Sequence, residues 1–276
     1  MKPSDCRNES FESDGLRLSY SDQGDRKSLT VVLLHTNNDS GCTWRKLASG
    51  LAEDYRVICL DQRGHGSSDW STKENYDRSR LVLDIVELID HLGLNNVVLT
   101  GHGNGGLTAI ELASRGLPEI GGLVVIDSDV SGTGSGIEAD DRLRYIMSGN
   151  SVETVTEHLR TIQPDAAEDF RWEQAEDLSL STQDGLKGCS DPAITQGNKV
   201  GNLMNVWSSV QCPTLVLRGR KSQVLTHEHA VRMKESVPQT RLAELEGAGH
   251  WVHREVPGAV ESTLRWFLES FSRLPS

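Results

Sequence analysis

The chain has 276 residues, 36% hydrophobic and 25% charged, with a formal net charge of −12. That balance fits a globular protein of one large domain, or of one domain carrying a sizeable insertion. It argues against a nucleic-acid partner, because Lys and Arg are not gathered into a basic stripe, and no apolar run approaches the length of a membrane span, so no membrane partner is expected.

The opening stretch, MKPSDCRNESFESDG, lacks the apolar segment of a secretory signal. Five cysteines (Cys6, Cys42, Cys59, Cys189 and Cys212) are odd in number and scattered, without Cys-x-x-Cys spacing. They read as reduced thiols, which predicts a cytoplasmic protein. Cys59 and Cys212 fall in or beside strand-like runs and are expected in the core. Cys42 is the one placed to approach a site, with buried packing as its plainer role.

Along the chain, strand-like and helix-like runs alternate. LTVVLLH (29–35) and YRVICLD (55–61) bracket a helix through Trp44, Leu47 and Leu51. Between Tyr76 and Leu92, the residues Leu81, Ile85, Leu88, Ile89 and Leu92 recur at helical spacing. NVVLTG (96–101) and GLVVID (122–127) bracket a further helix. The β-runs are continuously apolar, as parallel strands buried on both faces should be, and the alternation predicts a doubly wound, mostly parallel α/β sheet. The rhythm breaks after Val130. SGTGSG reads as a connector, and the residues up to about 209 are polar, acidic and helix-leaning, with no buried-strand run. It resumes with PTLVLRG (213–219), a helix near 226–236, TRLAELEG (240–247) and a helix from about Pro257. The expected organisation is a core of residues 1–130 and 210–276 with a helical cap at 131–209.

Between the run NVVLT and the helix LTAIELASRG lies GHGNGG, residues 101–106. A strand, a glycine-rich corner and a helix normally present a nucleophile at the corner. Here the central residue is Gly103.

From Phe11 to about Leu274 the chain resembles the α/β-hydrolase-fold family. The resemblance rests on His35 after a strand, LDQRGHGSSD (60–69), the elbow GHGNGG, CPTLVLRG (212–219) and GAGHWVH (247–253), in the family's order and spacing. It implies an α/β-hydrolase fold with a cap between core strands. It also implies His250 as the catalytic histidine and the N–H of Asn104 as one oxyanion donor, with the second at Thr36 or Asn37. Three positions depart from the family's pattern. The elbow serine is Gly103, Lys221 stands where an acid follows LVLRG, and the usual His-Gly pair is His35-Thr36.

Without a hydroxyl at 103 there is no acyl-enzyme. An imidazole at 250 can still act as general base or acid on a bound water or an acidic substrate proton, a contribution of about 10²–10⁴-fold. The expected chemistry is therefore non-covalent and cofactor-independent, of lyase, isomerase or cyclase type or hydrolysis by water attack. The expected substrate is a small, mostly apolar organic molecule in the core–cap crevice. Asp127, at the end of the strand before the cap, is the first choice of partner for His250, and Asp129 the second. Lys221 is expected to point to solvent. Thr36, Asn37, His102, Gly103, Asn104 and Trp251 are expected around the substrate. His35, His65 and His102 also suit bracing of loops, Trp44 suits packing, and Asn37, Asn38 and Asn104 suit tight turns as well as substrate contacts. No spacing of His, Cys, Asp and Glu suggests a metal site. Two other readings stand beside this one: a non-catalytic small-molecule sensor in which Gly103 simply relieves elbow strain, and a serine hydrolase carrying an inactivating glycine.

Overall fold

Five runs of the chain, buried throughout except at Gly121, form the centre of one sheet. The computed structural model describes residues 8–73, 75–132, 151–162, 168–182, 185–188, 190–191, 193–194 and 201–271. The central strands are β3 (Thr30–Leu34), β4 (Arg56–Leu60), β5 (Val97–His102), β6 (Ile120–Ile126) and β9 (Thr214–Gly219). With β1 (Asn8–Ser13), β2 (Leu16–Gln23) and β10 (Thr240–Leu245) they make an eight-stranded sheet in the order β1-β2-β4-β3-β5-β6-β9-β10. From β4 to β10 every neighbouring pair is parallel, and β2 runs antiparallel to both β1 and β4. This is the doubly wound, mostly parallel sheet that the alternation of runs predicts, in the arrangement that the resemblance to α/β-hydrolase-fold proteins implies.

Side chains alternate across the sheet, so each strand feeds two cores. Val32, Leu34, Ile58, Leu60 and Leu99 face one cluster, with α2 (Arg78–Leu92), α3 (Gly103–Ala113) and α7 (His227–Ser236). Val31, Leu33, Val57, Cys59 and Val98 face the other, with α1 (Arg45–Leu51) and α9 (Pro257–Glu269). Cys59 is buried and Cys212 packs at the margin of the first cluster, in line with the core role expected of both. Cys6 and Cys189 lie outside the described residues.

The β1–β2 hairpin is absent from the run-by-run reading of the sequence. Asp14 and Gly15 join its strands with φ of 52° and 75°. A positive φ at both central residues is the geometry of a type I′ turn, which Asp-Gly favours.

Between β6 and β9 lie α4 (Val152–Ile162), α5 (Glu168–Asp177), a short hairpin of β7 (Ser179–Thr182) and β8 (Gly185–Gly188), and α6 (Met204–Trp207). Val155, Leu159, Ala175 and Leu178 form an apolar cluster of their own. Trp207 instead belongs to the main core and donates its indole N–H to the Met233 carbonyl at 2.9 Å. The connector SGTGSG falls mostly outside the described residues.

Ion pairs tie this insertion to the first turn of α1 and to the short helix Val252–Glu255. Asp177 on α5 takes Arg45 at 2.8 Å and Arg254 at 2.9 Å, and Glu173 takes Lys46 at 2.7 Å. Further along, Ser190 donates to Asn38 Oδ1 at 3.0 Å, and the Asp191 N–H reaches the Gly64 carbonyl at 2.8 Å.

Candidate active site

Strand β5 passes into α3 through Gly103, whose φ is +53°. A side chain at such a φ is strained, and glycine carries none. The flanking glycines answer to a different constraint. A Cβ at Gly101 would lie 2.4 Å from the Gly105 carbonyl oxygen, and one at Gly105 would lie 2.4 Å from the His35 carbonyl oxygen and 2.5 Å from that of Leu34. Helix α3 therefore packs backbone-on-backbone against the sheet edge, and glycine is required there whatever the corner presents.

The histidine and its carboxylate come from segments 123 positions apart in the chain. His250 lies in the turn before α8 (Val252–Glu255), and Asp127 is the first residue after β6. The Nδ1 of His250 is 2.7 Å from Asp127 Oδ2, and both side chains are buried. Asp127 has φ +46°, a conformation that Asp tolerates better than most residues, and its N–H is held by the Leu217 carbonyl at 2.8 Å. With a carboxylate on Nδ1 the neutral ring carries its proton there, which leaves the lone pair on Nε2. Asp129 turns away to Ser131 and His229, with its Oδ2 accepting the Ser131 hydroxyl at 2.6 Å. Lys221 is exposed. The neighbouring Ser222 is buried and donates its hydroxyl to Asp127 Oδ2 at 2.5 Å.

The loop after β3 differs from expectation. The Asn104 N–H, expected as a free donor, is engaged by Thr36 Oγ1 at 3.2 Å. A threonine in place of glycine at 36 supplies an acceptor that reaches across to the first turn of α3. The Asn104 side chain donates to Asn37 Oδ1 at 2.9 Å, while its own Oδ1 is buried without a partner among the described residues. Thr36, Asn37 and Asn104 thus form one polar cluster beside Gly103.

His35 and His65 brace loops, as their positions suggest. The Gln62 N–H donates to His35 Nε2 at 3.0 Å, so His35 Nδ1–H donates to the Thr36 carbonyl at 2.7 Å and fixes residues 35–36 from below. Burial holds His35 well below the usual imidazole range and lowers His65 to about 4.

His102 sits between the elbow and the histidine loop. Its Nε2 donates to the His250 carbonyl at 3.0 Å, and its ring lies 4.4 Å from that of His250 and 4.6 Å from that of His253. Trp251 flanks the same group, 5.2 Å from His102 and 5.7 Å from His250. Trp44, in a 3-10 turn at Gly41–Trp44, packs 4.3 Å from His253. Burial, with the neighbouring imidazoles, pushes His102 well below the ordinary range, and burial beside Arg254 does the same to His253. Both rings are neutral neighbours of His250.

Beneath them lies a network that sequence reasoning missed. The Arg254 side chain, 8% exposed, donates to Thr43 Oγ1 at 2.7 Å, Asp177 at 2.9 Å and Asp39 at 3.2 Å. Thr43 Oγ1 also lies 2.8 Å from His253 Nε2, which joins the arginine to the histidine loop. Asp39 is fully buried, and burial outweighs Arg254 in pushing its carboxyl up to about 6. The available signal was Arg254 itself, a charge set inside the motif GAGHWVHRE. Cys42 lines a small cavity with Tyr20, Cys59 and Asp61, and neither His250 nor Asp127 contributes to that wall. Among the described residues, no three or more His, Cys, Asp or Glu side chains are arranged to hold a metal ion, and no helix is long and apolar enough to cross a membrane.

Comparison with known proteins agrees with this architecture. The sequence model of a family described as "Alpha/beta hydrolase family" matches residues 31–263. Human epoxide hydrolase 4 is 27% identical over 290 residues, covering 95% of this chain and 78% of its own. A Bacillus subtilis protein, provisionally named a 2-succinyl-6-hydroxy-2,4-cyclohexadiene-1-carboxylate synthase, is 28% identical over 273 residues, 94% of this chain and 97% of its own. Among solved structures, an alpha/beta hydrolase from Novosphingobium aromaticivorans superposes with a TM-score of 0.82 at 24% identity, over 96% of this chain and 98% of that one. At that identity the superposition speaks for the fold alone.

Proposed function

The chain belongs to the alpha/beta hydrolase family, and from that premise we propose that it is a cofactor-independent member working without a serine nucleophile. His250, oriented by Asp127, is the general base and acid, and the substrate is a small, mostly apolar organic molecule. Residues 131–209 serve as its cap, and the substrate lies in the crevice between cap and core.

The observation that carries this reading is a contrast within one site. The base and its carboxylate are intact, 2.7 Å apart and buried, while the parts that serve a covalent intermediate are altered together. Gly103 offers no hydroxyl, and Thr36 Oγ1 occupies the amide hydrogen of Asn104. A serine hydrolase disabled only at position 103 would have no reason for the second change. A sensor would have no need of a buried, oriented His–Asp pair.

The chemistry follows from the tautomer. His250 Nε2 takes a proton from an acidic C–H or O–H of the substrate, or from water. Where the proton comes from a C–H bond, its electron pair moves into the adjacent carbonyl to give an enolate. The enolate then re-forms the carbonyl, the bond from the β-carbon to the departing group breaks with its pair, and the imidazolium, held by Asp127, gives that group the proton. No bond to the protein forms. That one relative is named a synthase, beside others named hydrolases, is consistent with non-hydrolytic chemistry in this family.

The test is identification of the small molecule that co-purifies with the protein, followed by kinetics on it. His250→Gln should lower turnover by about 10²-fold or more while the Kd for the ligand changes little. Undiminished turnover in that variant would reject the reading, and absence of turnover with tight binding in the unaltered protein would favour a sensor.

A further inference from the structure

Two donors converge on one oxygen of Asp127. His250 Nδ1 lies 2.7 Å from Oδ2 and the Ser222 hydroxyl lies 2.5 Å from the same atom, while Oδ1 is buried with no partner among the described residues. A carboxylate offers two oxygens and about four lone pairs, so concentrating both donors on one of them is a specific arrangement. The donor direction is fixed. Ser222 Oγ accepts the Val224 N–H at 3.1 Å, and a carboxylate can only accept, so the single hydroxyl proton lies toward Asp127.

We infer that Ser222 is a positioning residue that sets the proton affinity of His250 by sharing the oxygen on which the His250 ring depends. This rests on the His250–Asp127 reading given above. The loop after β9 contributes no carboxylate at 221 or 222. It contributes instead a hydroxyl to the carboxylate supplied by β6. A hydrogen bond to the charged form stabilises it, draws charge off Oδ2 and weakens the pull of that oxygen on the Nδ1 proton. Ser222 therefore keeps the imidazolium from being held too tightly, and the base stays ready to take up and return a proton.

The other groups facing His250 do not supply this control. His102 from the end of β5 and His253 from α8 are buried beside it and neutral. Arg254, the nearest buried cation of that loop, is matched by Asp39 and Asp177. Lys221 is exposed.

The test is an NMR titration of the His250 imidazole in the whole protein, with its signals assigned by their loss in His250→Gln. Ser222→Ala should raise the proton affinity of His250 by about threefold or more, and Ser222→Thr, which keeps the hydroxyl, should restore the original midpoint. A purely packing role would change stability and leave the midpoint in place. An unmoved midpoint in Ser222→Ala, or an equal rise in Ser222→Thr or Lys221→Ala, would overturn the inference. Asp127→Asn should lower the midpoint, and an unmoved midpoint there would strike the His–Asp pairing itself. A Ser222 effect in a protein that turns nothing over would leave this inference standing and overturn only the catalytic reading.

Discussion

Thr36 Oγ1 accepts the hydrogen of the Asn104 amide at 3.2 Å, across the gap between the loop after β3 and the first turn of α3. In the proposed reading that hydrogen bond is a change separate from the glycine at 103. The first prediction follows. Gly103→Ser alone should give a poor esterase toward nitrophenyl esters, because the new hydroxyl has no free amide beside it. Adding Thr36→Gly should raise turnover by about 10²-fold, the usual worth of one oxyanion donor. Labelling by a fluorophosphonate should follow the same order, and a single variant as active as the double would sink the argument.

Backbone geometry at the elbow predicts a graded stability response. Gly103→Ala places a side chain at φ +53° and should cost about 1–2 kcal/mol in urea denaturation. Gly105→Ala should cost more, because its Cβ would sit 2.4 Å from the His35 carbonyl oxygen and 2.5 Å from that of Leu34. A smaller cost at 105 than at 103 would contradict the packing described for α3.

Asp39 predicts a pH dependence of definite sign. Burial raises its carboxyl from 3.8 in the unfolded chain to about 6 in the folded protein. The folded state therefore binds more protons between these values, and the contribution of Asp39 to stability is full below about pH 4 and is lost as pH rises through about 6. Asp39→Asn removes this titration. Its stability relative to the unaltered protein should improve by about 1–3 kcal/mol between pH 4 and pH 7.5, as measured by denaturation at both pH values. Parallel pH profiles for the two proteins would refute the assignment.

Arg254 joins the histidine loop to α5 through Asp39 and Asp177. Its removal leaves the buried Asp39 without that cation and Asp177 with Arg45 alone, so Arg254→Ala should lose about 3 kcal/mol or more. Limited proteolysis should then cut within 152–188 earlier than within the core. Equal protection of both regions in the variant would show that Arg254 does not hold the insertion down.

How far the sequence reveals all this depends on the range of each interaction. The buried strands were legible because a strand covered on both faces must be apolar throughout, as VVLL at 31–34 is. The β1–β2 hairpin was equally legible, since Asp14-Gly15 separates Phe11 from Leu16 and Leu18, but a search for long apolar runs passes over it. His250 and Asp127 lie 123 positions apart and could be paired only through the order of landmarks along the chain. Thr36 with Asn104, Ser222 with Asp127, and Thr43 with Arg254 were beyond reach. Each depends on a side chain reaching a separate segment near the end of the sheet, where the rotamer decides the partner and no periodicity records it.

The glycines at 101 and 105 carry a lesson for assigning reactions. Their spacing is imposed by the closeness of α3 to the sheet, as the blocked Cβ positions show, so selection for folding alone would preserve it. A pattern built on that spacing reports how a helix lies on a sheet and is blind to the atom at its centre. Chains gathered by such a pattern share a scaffold, and what stands at its centre, glycine at 103 here, is a separate question.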